Sequence, residues 1–162
     1  MFEKLLPERI DDTYRGRGLA LWLLGLVASV KVVQTVAIIC SPYSTLRDAD
    51  GIPLESYPPD AVQTIVANWE LSALGRLIIS LLCILVLARY RSLVSFMLAV
   101  LAADYLGREL ILYFTPITRV GNPPGPIVNL LLFALTLLGL ALSIWKRPNA
   151  SQSAKAERQS RG

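Results

Sequence analysis

The stretch LVSFMLAVLAADYLGRELILYFT, residues 93–115, decides how this chain folds. It is apolar and long enough to cross a bilayer, yet Asp104, Arg108 and Glu109 lie in its second half. An ionised side chain near the centre of a lipid-exposed helix costs roughly 2.5–3.5 kcal/mol, so three cost about 9 kcal/mol. The run's large apolar residues, roughly a dozen, return only about 6 kcal/mol at ~0.5 kcal/mol each. Such a helix needs neighbours, and the rest of the chain is expected to wrap around it and give its charges partners.

The other apolar blocks supply those neighbours. The chain has 162 residues, of which 54% are hydrophobic, and a mean hydropathy of +0.51. Its apolar residues fall in four blocks, residues 19–40, 71–88, 93–114 and 127–145. A span needs about 20 residues at 1.5 Å each to cover a core of roughly 30 Å. The expected fold is therefore all-α, an integral membrane four-helix bundle over residues 19–147 with no separate soluble domain. Residues 1–18 read as a cytoplasmic amphiphilic segment at the headgroup level and residues 148–162 as a disordered cytoplasmic tail.

A net charge of +4 and a pI near 9.3 raise the question of nucleic acid, which the placement of the basic residues answers. Lys4, Arg9, Arg15 and Arg17 precede the first span, Arg89 and Arg91 join the second to the third, and Lys146, Arg147, Lys155, Arg158 and Arg161 follow the fourth. The other two connections hold only Arg47 and Arg119. By the positive-inside rule both termini are cytoplasmic, and the basicity reports topology with no nucleic-acid footprint.

Several chemistries lack their residues. The chain has no histidine, which removes bis-histidine haem, serine–histidine hydrolysis and most metal centres. One aspartate within a span cannot form an aspartyl dyad, and no phosphate-cradling glycine loop is present. Cys40 and Cys83 lie at different depths, too far apart for a disulfide, and read as small packing residues. No catalytic residue, metal or cofactor is expected, and the chain reads as non-enzymatic.

Along the chain, Gly25 and Ser29 form a small-residue pair suited to helix packing. The acids Asp48, Asp50 and Glu55 of the first outer loop are expected to face the non-cytoplasmic side. Beyond Pro58 and Pro59, the residues Ala61, Val62, Ile65, Val66 and Trp69 recur at helical spacing and predict an amphipathic extension of the second span, one helix of about 30 residues. The alternative is a separate interfacial helix broken near Asn68. Ala99, Ala103 and Gly107 form an expected close-packing strip on the third span, while GNPPGP, residues 121–126, is a stiff turn before the fourth.

The polar residues fall at one depth. Lys31, Arg76 and Asp104 each lie about 12 residues, or roughly 18 Å, from the cytoplasmic border of their spans. Arg108, Glu109 and Asn129 sit about one turn further out, Gln34 and Thr35 share the face of Lys31, and Glu70 stands above Arg76. Five charges left in lipid would cost on the order of 12–17 kcal/mol, so Lys31, Arg76, Asp104, Arg108 and Glu109 are expected to point inward as one buried cluster. The expected pairs are Asp104 with Arg108 along the helix, Lys31 with Asp104, and Arg76 with Glu109 or Glu70. Three cations against two carboxylates leave an excess of one, which suits an anionic headgroup, a carboxylate or a quinone oxygen unless Glu70 completes the count or Arg76 snorkels to the outer interface.

The segments FEKLLPERIDDTYRGRGLALWLLGLV, DGIPLESYPP, and GREL followed by NPPGPIVNL resemble a family of short bacterial four-span inner-membrane proteins that has no assigned reaction. The resemblance implies the location and the four-span layout and carries no site residues.

Two functional readings follow. The first is a scaffold or accessory subunit of a membrane assembly, its charge cluster holding the helices together, with the lipid bilayer and a membrane-protein partner or a second copy as its company. The rival is a small carrier or binder of an anionic or amphipathic solute or lipid that uses the same residues as its site. They part on whether the cluster neutralises itself or borders a cavity.

Overall fold

The computed structural model describes residues 18–144. The expected segment 1–18, apart from Gly18, the tail 148–162 and the end of the fourth span from Trp145 onward lie outside the described residues. Four long helices account for most of the rest: α1 (Gly18–Cys40), α2 (Pro59–Arg89), α3 (Val94–Phe114) and α4 (Pro124–Ile144). Short turns at Pro42–Ser44, Thr45–Ala49 and Leu54–Ser56 build the α1–α2 connection, the first outer loop of the expected topology. Among the described residues there is no strand.

Three of the helices, α1, α2 and α4, are long and apolar enough to cross a membrane. Their outward faces suit lipid: Trp22, Leu71 and Ile127 are each more than half exposed. The fourth, α3, has the length, 21 residues, but carries the three charges already noted.

Helix ends follow the sequence. Prolines open both α2 and α4, where a missing N–H costs nothing because the first turn has no acceptor for it. The amphipathic extension and the second span form one unbroken helix of 31 residues, not two pieces parted at Asn68. At 1.5 Å per residue it is about 46 Å long, roughly half as long again as a hydrocarbon core is thick. Its overhanging apolar face is covered from within the chain: Val66 packs with Leu46 and Leu54 of the first outer loop, and Val62, Ile65 and Trp69 flank that cluster.

The main core fills the half of the bundle nearest the α2–α3 connection. Leu24, Val27 and Ala28 of α1 meet Cys83 and Val86 of α2, Val94, Met97 and Leu98 of α3, and Leu132 of α4. Helix α1 packs extensively on α2, and α4 bridges α1 and α3, whereas α2 and α3 touch over a short stretch only. Gly139 of α4 admits Leu98, whose Cδ2 lies 3.2 Å from where a β-carbon would stand. The Ser95 and Ser143 hydroxyls share a hydrogen bond between α3 and α4.

The expected close-packing strip of α3 is not its packing face. Ala103 and Gly107 are exposed, and nothing lies within 4 Å of a β-carbon built on Gly107. The buried residues of α3 are Val94, Ser95, Met97, Leu98, Leu101 and Ala102, all in its first half. Large apolar side chains on that half make the buried contacts, and the charged half holds no buried residue.

Candidate functional site: a cationic cavity far from the α2–α3 connection

Beyond Ala102, the last buried residue of α3, a cavity begins. It has two adjoining lobes of about 190 Å³ and 220 Å³ that share Lys31 of α1, Asp50 of the first outer loop, Trp69 and Arg76 of α2, Arg108 of α3 and Asn129 of α4. Asp104, Tyr105 and Glu109 of α3 and Arg119 of the second outer loop complete the first lobe, and Gln34 and Thr35 of α1 line the second. The five residues expected in one buried cluster, Lys31, Arg76, Asp104, Arg108 and Glu109, all line one lobe, but none is fully buried: the first four are half-buried and Glu109 is exposed. Glu70 is half-buried and lines neither.

The expected pairing does not occur. Among the described residues the one ion pair within 4.0 Å is Arg47 with Asp48, both exposed, in the outer loop. Lys31 does not reach Asp104, Arg76 reaches neither Glu109 nor Glu70, and Asp104 does not close on Arg108. The reason is geometric: α3 has no buried residue beyond Ala102, so an open volume stands where the opposing side chains were expected to meet.

Local contacts hold the cavity walls. The Thr35 hydroxyl donates to the carbonyl of Lys31 at 2.6 Å, and the Ser80 hydroxyl donates to that of Arg76 at 2.8 Å. Each buried hydroxyl is therefore satisfied one turn back on its own helix, by the backbone carbonyl of the cation and not by its side chain. Along α2 the same bond recurs from Thr64 to Asp60, Asn68 to Thr64 and Ser72 to Asn68. Tyr105 stacks on Phe133 with ring centroids 4.2 Å apart, joining α3 to α4 beside the first lobe.

Trp69 is the residue whose role the sequence concealed. Its spacing marks it as a membrane-interface aromatic, but it lines both lobes, and the Arg76 guanidinium lies over its ring, 4.9 Å from the centroid. Its indole N–H is buried without an acceptor. An orphaned donor of this kind costs about 1–3 kcal/mol, so it marks a place where an acceptor belongs.

Asp50 was also not expected in the site. The sequence puts it among outward-facing loop acids; the fold turns it in as the roof of both lobes. The loop ends its turn at Gly51, whose φ of +70° is glycine's region, and the Gly51 carbonyl accepts a 2.8 Å hydrogen bond from the Val120 N–H of the second outer loop. Close approach to the first turn of α4 needs Gly125: a β-carbon there would stand 2.6 Å from the Ala49 carbonyl oxygen and 3.0 Å from Asp50 Oδ1. Only the Asp50-Gly51 turn signal hinted at this, and it could not say which way the loop would fold.

Among the described residues no three His, Cys, Asp or Glu side chains converge as a metal site. The cavity offers cations and hydrogen-bond donors. No family profile, curated protein or solved structure matches the chain.

Proposed function

We propose that this is a multi-pass protein of the bacterial inner membrane, non-enzymatic, that binds or carries an anionic, amphipathic ligand in its outer half. In this reading α3 is the fourth span, completing a four-helix transmembrane bundle with both termini cytoplasmic. Its 21 residues reach about 31 Å. Leu106, Leu110, Tyr113 and Phe114 project from it largely uncovered, as lipid-facing side chains do. The charges that make its insertion costly line the cavity and are shared with three neighbours.

The observation that carries the reading is the cavity's composition: Lys31, Arg76 and Arg108 around one open volume, none in an ion pair with a neighbouring carboxylate, beside an indole N–H without an acceptor. A cluster whose work was to fasten helices would close on itself, because uncompensated charges in a low dielectric are the costly arrangement. An anionic group in the cavity would supply both the missing charge and the missing acceptor. The scaffold reading has less behind it, since the apolar face of α2 that a partner would use is occupied by Leu46 and Leu54.

The test is purification in mild detergent with identification of co-eluting lipids and anionic solutes, for the native chain and for Lys31→Met and Arg108→Gln. Variants that stay folded but lose the bound species support the binder. If native protein and folded variants carry the same species in the same amount, the reading fails.

A further inference from the structure

Asp50 occupies the cavity without a partner of its own. It forms no ion pair within 4.0 Å among the described residues, so its carboxylate is held over the cations by the backbone of its loop. That backbone is fixed by the Gly51–Val120 hydrogen bond and by the fit of Ala49 and Asp50 against Gly125. One of these contacts comes from the second outer loop and the other from the first turn of α4.

We infer that Asp50 is a built-in stand-in for the ligand, and that the ligand is a phosphate monoester whose dianion takes the place of the Asp50 carboxylate. The inference rests on the anion-binding reading and names the ligand's chemistry. Charge supports it. Lys31, Arg76, Arg108 and Arg119 face Asp50, Asp104 and Glu109 in the first lobe, an excess of one. With Asp50 withdrawn the excess is two, which matches a phosphate monoester near neutral pH, at about −1.5 to −2.

Donor geometry and size agree. Arg76 and Arg108 present planar forks suited to phosphate oxygens, and Asn129 and the Trp69 N–H add neutral donors. A lobe of about 190 Å³ holds the volume of roughly six waters at ~30 Å³ each, room for a phosphate group. Lipid phosphomonoesters and free phosphate share this chemistry. The short contact between α2 and α3 leaves the cavity's outer flank free of packing, which gives a lipid tail a way out into the bilayer.

The experiment uses the full chain in nanodiscs with Trp22→Phe and Trp145→Phe, so that Trp69 is the one remaining indole of the three. Its fluorescence is titrated with phosphatidate, with phosphatidylglycerol as a singly charged diester lipid, and with inorganic phosphate. The expected result is saturable binding of phosphatidate over phosphatidylglycerol. Asp50→Asn should tighten it about tenfold, the effect of ~1.4 kcal/mol, and Asp50→Glu should not. Hydrogen exchange at the Val120 amide should quicken on binding, because the loop lets go. A preference for inorganic phosphate identifies a free phosphate instead of a lipid with the same chemistry. If phosphatidylglycerol binds as tightly as phosphatidate, or Asp50→Asn binds no better than the native residue, the stand-in is overturned while anion binding survives. If no anionic probe binds either form, the anion-binding reading falls with it.

Discussion

Arg76 and Trp69 sit seven residues apart on one face of α2, the guanidinium 4.9 Å from the ring centroid, while the N–H of that ring points at no acceptor. The pair holds a cation in place without spending its hydrogen-bond donors. That separates holding from binding: the aromatic face orients the guanidinium, and its N–H groups remain for a guest.

Replacing Trp69 by Phe should therefore cost more in binding than in folding. The ring's hydrophobic body and most of its cation–π attraction persist, so stability should change by less than about 1 kcal/mol. Ligand affinity should fall roughly three- to tenfold, the worth of one hydrogen bond. Thermal unfolding and binding measured on the same sample check both halves.

Neutralising a cavity cation should leave the fold standing. Breaking a buried ion pair costs about 3–5 kcal/mol because a lone charge is left behind. Lys31 and Arg108 have no such pair to break, so Lys31→Met and Arg108→Gln should match or exceed the native chain in thermal stability when ligand is absent. Loss of several kcal/mol would mean that the charges are coupled after all.

The roof depends on two glycines. Gly51→Ala strains a φ of +70° and drives a β-carbon to 2.9 Å from the Val120 carbonyl oxygen, and Gly125→Ala meets the Ala49 carbonyl at 2.6 Å. Each should cost about 1–3 kcal/mol, taken up by release of the loop with the helices intact. Hydrogen exchange should quicken at Val120 and Ile52, whose N–H groups close the loop, and stay unchanged in the core around Leu98.

Burial pushes the Asp50 carboxyl above its ordinary value, against the opposing pull of Arg119, Arg76 and Arg108. Lys31 from α1 and the carboxylates Asp104 and Glu109 from α3 share the same cavity. The folded chain thus keeps this proton to a higher pH than the unfolded chain, whose value is about 3.9. Stability from this group is full below the unfolded value and is lost as pH rises through the folded one. Asp50→Asn should equal the native chain in acid and exceed it at neutral pH, a divergence that unfolding scans across that range would show. A constant difference would place the effect elsewhere than Asp50.

The two cysteines report orientation without engineering. Cys40 is exposed at the end of α1 and Cys83 is buried. A membrane-impermeant maleimide added to intact spheroplasts should label each chain once, at Cys40, and Cys83 only after denaturation. Labelling of Cys40 solely in inverted vesicles would reverse the proposed topology.

Much of this architecture can be read from residue order because bilayer-length apolar runs leave few alternatives. The 31-residue α2 is legible in the spacing of Val62, Ile65, Val66 and Trp69, and the shared depth of Lys31, Arg76 and Asp104 follows from counting turns. Pairing is not legible in the same way. Asp104 and Arg108 have the spacing of an ion pair, but whether they close depends on how far α3 leans from α2, which is set by core side chains more than a turn away. Asp50 was hidden for a related reason: its place comes from contacts with Val120 and Gly125, some 70 residues on, and no local pattern encodes them. Ala103 and Gly107 mislead because small residues permit a close approach without causing one.

The α2–α3 connection is only Tyr90 and the single turn Arg91–Leu93, so the two helices are tied at one end and part towards the other. They are joined like the arms of a pair of tongs, with Cys83 and Met97 in the core cluster near the joined end. The gape at the far end is then a lever quantity: a methylene more or less near the joined end is magnified along nearly the whole length of the arms. Residues that never touch a guest would in this way set which guests are admitted.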